Sequence, residues 1–350
     1  MAALPTGGFV DAWRRLAVRA ENPFASPEWT AAYLEGSRNS RPLILACRSS
    51  ADELVGVVPL TMDARGRLSP AAASRADWFG PACALEDQSD VAFAAMTALD
   101  RSGHLQRSWI MPRCVTGAGW LAGVRRARQP KYELVRTDVE VELSLARFSR
   151  PAAMSGKHRR EIARLLRRLE EAHAVEFRCA RTLPEAERDF PVFERLHMQR
   201  WPQLRTPGEA RFQRAFALRA ARQGWLRLWT LVIDGTPAAA LYGWRLGART
   251  FAYMQAFDTA WSRLGVGILL LDHAVRAAEA EGCEVFDMLR GQESHKARFE
   301  NDRLTVETFV VVRRRSLARL ALHGRASART VFHRLPDRHR ASVSRLLRRS

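Results

Sequence analysis

One stretch, residues 225–296, restricts the fold of this chain more than any other. The run WLRLWTLVI is rich in bulky and β-branched residues and ends at Asp234-Gly235, a dipeptide typical of hairpin turns. The runs PAAALYGWRL and RTFAYMQAF predict two more strands, and apolar residues at helical spacing predict a helix from Ile268 to Gly282. A short strand follows from Glu284 to Met288. The predicted order is therefore an antiparallel meander, a turn, a helix and a fourth strand.

The turn before this helix is rich in glycine and reads Arg263-Leu-Gly-Val-Gly267. The first N–H groups of a helix have no partner within it, and glycines let a phosphate approach the backbone closely. We therefore expect the backbone N–H groups from Arg263 to Ile268 to bind an anionic group. The preceding meander argues against the βαβ unit of a Rossmann fold, and the chain has no GxxxxGK[ST] sequence of a P-loop.

These residues resemble those of a known superfamily. The order of meander, Arg263–Gly267 turn, helix and strand resembles the acyl-CoA-binding core of the GNAT acyltransferases. The run Phe286-Asp-Met-Leu-Arg-Gly-Gln-Glu-Ser-His-Lys296 is similar to a signature of their CelD/BcsL-type branch, which is FemAB-like and carries a BioF-like acetyltransferase domain. Asn22-Pro-Phe24 and Trp29 resemble the N-terminal signature of that branch. The likeness covers about residues 8–312.

The chain departs from the family pattern at two positions. Ser262 stands where the superfamily usually has Gln or Arg, so we expect contacts to a pyrophosphate to rest more on the backbone. His295 stands where the branch usually has Tyr.

The resemblance implies an α/β (α+β) fold of tandem GNAT-like lobes, each a mixed, mostly antiparallel sheet flanked by helices. In the first half, RPLILACR and ELVGVVPLTM predict a strand pair, followed by a helix near Ser89–Asp100 and strands near Arg107–Met111 and Tyr132–Leu145. This half shows no glycine turn that leads into a helix. We therefore expect an N-terminal lobe without a cofactor site.

The predicted domains are an N-terminal lobe at 1–145, a basic linking helix at 146–173, an acyl-CoA-binding lobe at 174–312 and a basic tail at 313–350. The linking helix is predicted over Ser155–Ala172, because Ile162, Leu165 and Leu169 recur at helical spacing and Lys and Arg cover most of the other positions. Its basic face is either a solvated surface or a wall that faces an anionic acceptor or a phosphate of CoA.

The net charge of +19 is unevenly distributed. Residues 313–350 hold twelve Arg and one Asp, a net charge of +11, which leaves +8 for the rest of the chain. The tail is interpreted either as a solvated, partly helical extension or as a segment that contacts an anionic membrane surface. Only three of the 56 basic residues are Lys, so the Lys at position 296, inside a polar cluster, is a strong functional candidate.

The composition excludes several other classes of protein. Five scattered cysteines show neither a CxxC pair nor zinc spacing, so we expect reduced thiols and no metal. No apolar run reaches the length of a membrane span, and the first residues lack the pattern of a signal peptide. We expect a cytoplasmic protein that is either free or peripheral at the inner membrane surface.

The resemblance also implies a donor site. In such folds two neighbouring parallel strands, here Arg249–Phe257 and Glu284–Met288, separate and hold the pantetheine arm of acyl-CoA between them. A backbone N–H near Met254–Ala256 is expected to stabilise the oxyanion. The predicted cofactor-binding residues are Gln255, Ala256, Arg263, Leu264, Gly265, Val266, Gly267 and Ile268.

Acyl transfer to an amine also requires a base and an acceptor site. The catalytic candidates are Asp287, Glu293, Lys296, Asp258 and His197, and the substrate-binding candidates are Tyr242, Arg290 and His295. Asp287 can act as base if burial raises its pKa. An equally weighted interpretation is a structural ion-pair network of Asp287, Arg290 and Lys296.

The resulting prediction is a GNAT-type N-acyltransferase that uses acetyl-CoA or a longer acyl-CoA, without a metal. The resemblance implies an acceptor amine on a sugar, a glycolipid or another cell-envelope or exopolysaccharide precursor. One alternative is a FemAB-like transferase that uses aminoacyl-tRNA, with the helix at 155–172 as an RNA contact; nucleic acid is otherwise not expected. Another is a non-catalytic scaffold of a polysaccharide pathway at the membrane surface.

Overall fold

The computed structural model describes residues 7–37, 40–106, 108–127, 131–137, 141–151, 154–201, 206–291, 293–316 and 319. The helices are α1 (Gly8–Arg19), α2 (Pro27–Gly36), α3 (Gln88–Arg101), α4 (Gly119–Arg126), α5 (Gly156–Ala172), α6 (Leu183–Arg200), α7 (Pro207–Arg222) and α8 (Val266–Ala280). The strands are β1 (Arg41–Arg48), β2 (Leu54–Met62), β3 (Arg67–Pro70), β4 (Ala82–Cys83), β5 (Ser108–Val115), β6 (Tyr132–Arg136), β7 (Val141–Arg147), β8 (Val175–Ala180), β9 (Leu226–Ile233), β10 (Thr236–Leu246), β11 (Arg249–Phe257), β12 (Val285–Arg290) and β13 (Asp302–Arg313).

The strands form one continuous mixed sheet in the order β1-β2-β3-β5-β13-β7-β12-β11-β10-β9-β8, with β4 beside β2 and β6 beside β13. Most neighbours are antiparallel, whereas β3 with β5 and β11 with β12 are parallel. The helices flank this sheet. The predicted fold class, a mixed and mostly antiparallel sheet flanked by helices, is confirmed.

The two ends of the sheet repeat one arrangement. Three strands follow each other as antiparallel neighbours, β1-β2-β3 at one end and β9-β10-β11 at the other. In the first unit α3 then leads to β5, which is parallel to β3. In the second unit α8 leads to β12, which is parallel to β11. Since a parallel neighbour requires a crossover connection, each helix links the last two strands of its unit. This repeated order is what the prediction of tandem lobes requires.

The middle of the sheet joins the two units. The long strand β13 pairs with β7 through its first half and with β5 and β6 through its second half. The boundary predicted at residue 145 falls inside β7, which lies between β12 and β13. The domain boundaries remain a prediction.

The N-terminal helices also pack against the second unit. The Trp29 ring on α2 lies edge-on to Phe212 and Phe216 on α7, with ring centroids 4.7 and 4.9 Å apart. Such aromatic contacts contribute roughly 0.5–1.5 kcal/mol each beyond the burial of their surface. Pro27 fits the first turn of α2, and Ser26 caps the helix by accepting a hydrogen bond from the Trp29 N–H at 3.1 Å. The residues that resemble the N-terminal signature therefore build the junction between the units.

Two details of the sequence interpretation were wrong. The run predicted as one strand at Tyr132–Leu145 contains two strands, β6 and β7, that lie beside different parts of the sheet. The N-terminal half also does contain a glycine turn before a helix, because Gly117-Ala118-Gly119 leads from β5 into α4. Beyond residue 316 only Arg319 of the basic tail is described. Within the described residues, no helix is both long and apolar enough to cross a membrane.

Candidate functional site

A gap between two parallel strands marks the candidate site. Arg249–Phe251 of β11 pair with Val285–Asp287 of β12, and the two strands are not paired beyond these residues. On its other edge β11 carries a β-bulge. Tyr242 pairs with Met254 and Gly243 pairs with Ala252, so Tyr253 is the extra, unpaired residue. A bulge bends and twists its strand, which is consistent with the separation of β11 from β12.

Gly243 makes this bulge possible. A Cβ atom placed at Gly243 would lie 2.0 Å from the Phe251 carbonyl oxygen, a distance that excludes any side chain. Here glycine permits the close approach of two backbones. The sequence therefore encodes the bulge by a glycine on the neighbouring strand.

A cavity of about 540 Å³ occupies the gap. Met254, Gln255 and Phe257 line it from β11, and Met288 and Arg290 line it from β12. The end of α6 and the loop after β12 complete its walls. The lining residues from these two segments are His197, Arg200, Trp201, Glu293, His295 and Lys296.

The start of α8 lies close to this cavity. Gly265 precedes the helix with φ of 69°, a left-handed conformation that glycine adopts readily. The Gln255 side chain, which lines the cavity, donates a hydrogen bond from Nε2 to the Gly267 carbonyl at 2.7 Å. Helix starts present N–H groups and the positive end of the helix dipole. An anion at the mouth of the gap can therefore be bound by the first residues of α8.

Arg200 adds a positive charge beside this helix start. Its guanidinium carbon lies 4.5 Å from the centre of the Phe257 ring, and a Cβ placed at Gly267 would lie 3.4 Å from the same ring. Arg200 is exposed and forms no ion pair with any described residue. Its charge is therefore available to a ligand that occupies the cavity.

Lys296 and Glu293 form an ion pair in the cavity wall. Lys296 Nζ lies 3.0 Å from Glu293 Oε2 and donates to the Arg290 carbonyl at 2.6 Å. Partial burial raises the pKa of Glu293, but the hydrogen bond and charge of Lys296 outweigh burial and hold the pKa below its ordinary value. Glu293 is therefore an anion at neutral pH, and its contacts suit fixing the loop better than accepting a proton.

His295 offers a neutral base in the same wall. It is half-buried, and burial lowers its pKa below 6.5 despite the opposing charge of Glu293. At neutral pH the imidazole is uncharged and can accept a proton. This combination of cavity position and neutral charge suits a general base for an amine substrate.

Asp287 lies outside the cavity wall. Its fully buried carboxylate accepts hydrogen bonds from Arg249 Nη2 at 2.6 Å and from the Leu289 N–H at 2.8 Å. Arg290 forms its ion pair with Asp77, a residue between β3 and β4 in the other unit. Asp287 therefore has structural contacts, but the predicted ion-pair network of Asp287, Arg290 and Lys296 does not form, because each of the three pairs with a different residue.

A comparison with known families identifies this part of the chain. Residues 156–297 match the family model described as an acetyltransferase (GNAT) domain. They form a GNAT-type acetyltransferase domain. The matched segment contains α5, the bulged strand, the start of α8 and the cavity loop, so the geometry and the family model point to one region. No curated protein sequence matches the chain significantly.

Solved structures share the fold of the GNAT domain and of the rest of the chain. The C-terminal domain of a putative lysylphosphatidylglycerol synthetase from Agrobacterium fabrum has a TM-score of 0.60 at 12% identity, covering 91% of this chain and 95% of that one. L-PGS from Bacillus licheniformis has a TM-score of 0.55 at 12% identity, covering 86% and 98%. FemX has a TM-score of 0.58 at 8% identity, covering 87% and 97%. At these identities the likeness establishes the fold, which agrees with the predicted FemAB-like branch of the superfamily.

The GNAT domain brings together only part of the predicted site. Gln255, His197, Arg290, Glu293, His295 and Lys296 line the cavity. Gly265, Val266, Gly267 and Ile268 form the start of α8, whereas Arg263 and Leu264 belong to the preceding 3-10 turn and Arg263 is exposed. Ala256 is buried within β11.

Two predicted residues of the GNAT domain have local structural contacts instead. Tyr242 is fully buried with its hydroxyl 3.5 Å from the Gln213 carbonyl, and burial raises its pKa, so it packs behind the cavity. The Asp258 side chain accepts a hydrogen bond from the Ala260 N–H at 2.9 Å and thus caps the 3-10 turn. The functional role of each predicted residue remains a prediction.

Sequence reasoning missed Arg200, Tyr253 and Asp77. Arg200 ends a helix more than 50 residues before α8, and nothing local marks it as a ligand. The run RTFAYMQAF predicts a regular strand through Tyr253, although Gly243 on the paired strand is a usable signal for a bulge. Asp77 lies in a loop of the other unit and reaches Arg290 only through the tertiary fold.

Proposed function

We propose that this chain is an N-acyltransferase that transfers an acyl group from acyl-CoA, with acetyl-CoA as the first candidate, to an amine. The observation that carries the proposal is the gap between β11 and β12, which opens beside the start of α8. It offers unpaired strand backbone to a thin chain such as pantetheine and helix N–H groups to a pyrophosphate. Arg200 supplies a positive charge beside the start of α8.

The residues in the wall suit direct transfer without a covalent enzyme intermediate. His295 removes a proton from the acceptor amine, whose nitrogen forms a bond to the thioester carbonyl carbon. A backbone N–H near the bulge at Tyr253 stabilises the oxyanion. The C–S bond then breaks, and the thiolate takes up the proton that the amine has lost. Lys296, held by Glu293 and the Arg290 carbonyl, keeps the loop that carries His295 in place.

For the acceptor we propose an amine on a sugar, a glycolipid or another cell-envelope precursor. This rests on the family resemblance and on the names of the lysylphosphatidylglycerol synthetases that share the fold. We place the donor site within the predicted lobe at 174–312 and expect the protein in the cytoplasm or at the inner membrane surface. The basic tail that would provide a membrane contact lies almost entirely outside the described residues.

Calorimetric titration with acetyl-CoA and with a long-chain acyl-CoA tests the donor site. Gly267→Asp places a carboxylate in the first turn of α8, where it suits the helix but repels a pyrophosphate. We expect wild type to bind and Gly267→Asp to bind at least about tenfold more weakly. Arg200→Gln should also weaken binding and reduce its dependence on salt concentration.

Gly267→Ala is the matched control, because a Cβ at this position meets only ordinary contacts of 3.4 Å and longer. It should bind acyl-CoA nearly as wild type does. Equal binding by the Ala and Asp variants, or no binding by folded wild-type protein, would remove the proposal. Failure of every thioester to turn over with any amine would instead favour a non-catalytic scaffold.

One feature favours a second candidate, transfer from aminoacyl-tRNA. Lys157, Arg160, Arg164 and Arg168 form an exposed stripe on α5, and none of them pairs with a carboxylate among the described residues. A Cβ placed at Gly265 would lie 3.3 Å from Leu165, so α5 runs beside the start of α8. A long anionic ligand could bind this stripe while its end reaches the cavity.

Salt titration separates the two candidates. If tRNA is the donor, the triple change of Arg160, Arg164 and Arg168 to Gln should weaken tRNA binding and reduce the slope of log affinity against log salt by about 2–3. If acyl-CoA is the donor, thioester turnover should change little. The charge-matched control changes Arg65, Arg101 and Arg125, which are exposed in the other unit, to Gln. A similar loss in both triple variants would indicate a nonspecific effect of net charge.

A further inference from the structure

Tyr253, the extra residue of the bulge in β11, belongs to a closed ring of hydrogen bonds. Its hydroxyl donates to the Arg75 carbonyl at 2.8 Å and accepts a hydrogen bond from Gln213 Nε2 at 3.3 Å. Gln213 Nε2 also donates to Glu209 Oε1 at 2.8 Å. Glu209 completes the ring, because its Oε2 accepts a hydrogen bond from Arg75 Nε at 2.6 Å. The four residues therefore hold one another in place.

The ring joins three separate parts of the fold. Arg75 lies in the first unit, on the segment between β3 and β4. Glu209 is in the first turn of α7, and Gln213 follows it one turn later. Tyr253 is on β11 of the second unit. The bulge is therefore tied both to α7 and to the N-terminal unit.

Burial strengthens these contacts. Gln213 is 4% exposed, and the side chains of Arg75 and Glu209 are 19% and 23% exposed. Hydrogen bonds between charged groups are shorter and stronger than neutral ones, and a low local dielectric strengthens them further. Burial also raises the pKa of Tyr253, so its hydroxyl stays protonated and remains a donor. The position of this hydroxyl is therefore well defined.

The bulge that the ring holds also borders the cavity. Tyr253 and Met254 line the cavity, and β11 is not paired with β12 beyond Phe251. The extra residue of a bulge has no partner in the ladder, so strand pairing alone does not fix its backbone. A donor for an oxyanion must nevertheless lie at a closely defined distance from the oxygen. The ring supplies the restraint that the ladder lacks at this position.

We infer that Arg75, Glu209 and Gln213 are positioning residues, which hold Tyr253 so that a backbone N–H of the bulge polarises the carbonyl of the bound thioester. The inference rests on the proposed function, because it concerns the oxyanion site of that reaction. These three residues do not belong to the described lining of the cavity, so they act through Tyr253. The N-terminal unit thereby contributes to acyl transfer through Arg75.

Acetyl-CoA labelled with ¹³C at its carbonyl tests this polarisation in the full-length protein without an acceptor amine. A hydrogen bond to the carbonyl oxygen draws electrons from the carbon and moves its resonance downfield. We expect such a shift when acetyl-CoA binds to the wild-type protein. Tyr253→Phe removes one hydroxyl and keeps the aromatic ring. Most of the shift should be lost in this variant, while the Kd for acetyl-CoA stays close to that of wild type, because most contacts to CoA lie away from the carbonyl.

Tyr132→Phe is the matched control. It makes the same change at a buried tyrosine of the first unit, whose hydroxyl donates to Asp100 at 2.6 Å, and it should keep the full shift. Glu209→Gln tests the ring from α7, because it removes the charge that binds Arg75 and changes the volume little. It should also reduce the shift. The double variant of Tyr253→Phe and Glu209→Gln should lose no more than Tyr253→Phe alone, since both changes act through one hydroxyl.

Several results would overturn the inference and leave the proposed donor site intact. These are a wild-type protein that binds acetyl-CoA without a carbonyl shift, a full shift in folded Tyr253→Phe, or an equal loss in Tyr132→Phe. Binding that weakens in step with the shift in Tyr253→Phe would show a merely structural role of the ring and would also overturn it. Folded wild-type protein that binds no acetyl-CoA would reject both the donor site and this inference.

Discussion

The ionisable residues in and beside the cavity loop differ in their burial and in their ion pairs. Asp287 is fully buried, but its charge is paired with Arg249, and Lys296 is paired with Glu293. His295 is half-buried and has no ion pair within the described chain, so burial lowers its pKa and leaves it neutral. Residues close together in sequence thus differ in burial and in ion pairing because their neighbours in space differ. His295 is the residue whose state fits a base.

The pH dependence of kcat/KM tests this role. A base must be neutral to act, and the pKa of His295 lies below its ordinary value of 6.5. Activity should therefore persist below pH 6.5 and fall only as pH drops through the lowered pKa. His295→Gln should lose this inflection and reduce kcat by roughly 10²–10⁴-fold. His197→Gln, which alters another histidine of the cavity, should keep the inflection. An unchanged acid limb in His295→Gln would assign the base elsewhere.

At the scale of elements, the site depends on a local irregularity in β11. The bulge at Tyr253 sits opposite Gly243, and beyond Phe251 the strand no longer pairs with β12. Regular pairing along both edges of β11 would leave no gap for a ligand. The helix that follows begins at Gly265, so the turn and the gap lie next to each other along the chain.

Replacing Gly243 tests whether the bulge shapes the site. In Gly243→Ala the new Cβ collides with the Phe251 carbonyl, and the strands must shift. We expect a loss of about 1–3 kcal/mol in the free energy of unfolding, measured by urea denaturation, together with weaker acyl-CoA binding. Gly8→Ala is a suitable control, since a Cβ there meets no atom within 4 Å. Unchanged stability and binding in Gly243→Ala would show that the bulge tolerates a side chain.

At the scale of the whole molecule, the N-terminal unit contributes directly to the C-terminal site. Asp77 is buried and binds the guanidinium of Arg290, which lines the cavity. The Arg290 carbonyl in turn accepts the hydrogen bond from Lys296. The Tyr253 hydroxyl at the bulge donates to the Arg75 carbonyl at 2.8 Å. The first unit therefore supports the cavity wall even though the family model matches only the second.

A double-mutant cycle of Asp77→Asn and Arg290→Met measures this support. Each single variant leaves a polar partner unpaired, so the two changes should not be additive. We expect a coupling of about 1–3 kcal/mol in the free energy of unfolding and a fall in kcat/KM for Asp77→Asn. A cycle of Arg48 and Asp52, an exposed pair 3.5 Å apart in the first unit, should show little coupling. Additive effects of Asp77 and Arg290 would mean that the contact is energetically unimportant.

Much of the fold followed from local patterns. The Asp234-Gly235 hairpin, the strands around it and the helix after Gly267 appear where turn residues and periodicity predict them. The prediction was weaker where several short elements follow each other. The regions around β4, α4 and β6 have short runs without strong periodicity, and their final conformation depends on neighbouring strands.

The sequence by itself determined the order of the elements, the glycine turn before α8 and the family resemblance, because these depend on residues close together along the chain. The tertiary structure decided which side chains meet. Sheet order placed Asp77 against Arg290, and helix packing placed Arg200 over Phe257. The neighbouring strands brought Arg249 to Asp287. Burial lowered the pKa of His295 and left it neutral. Contacts and pKa values depend on distances in space, and these are fixed only when distant segments pack together.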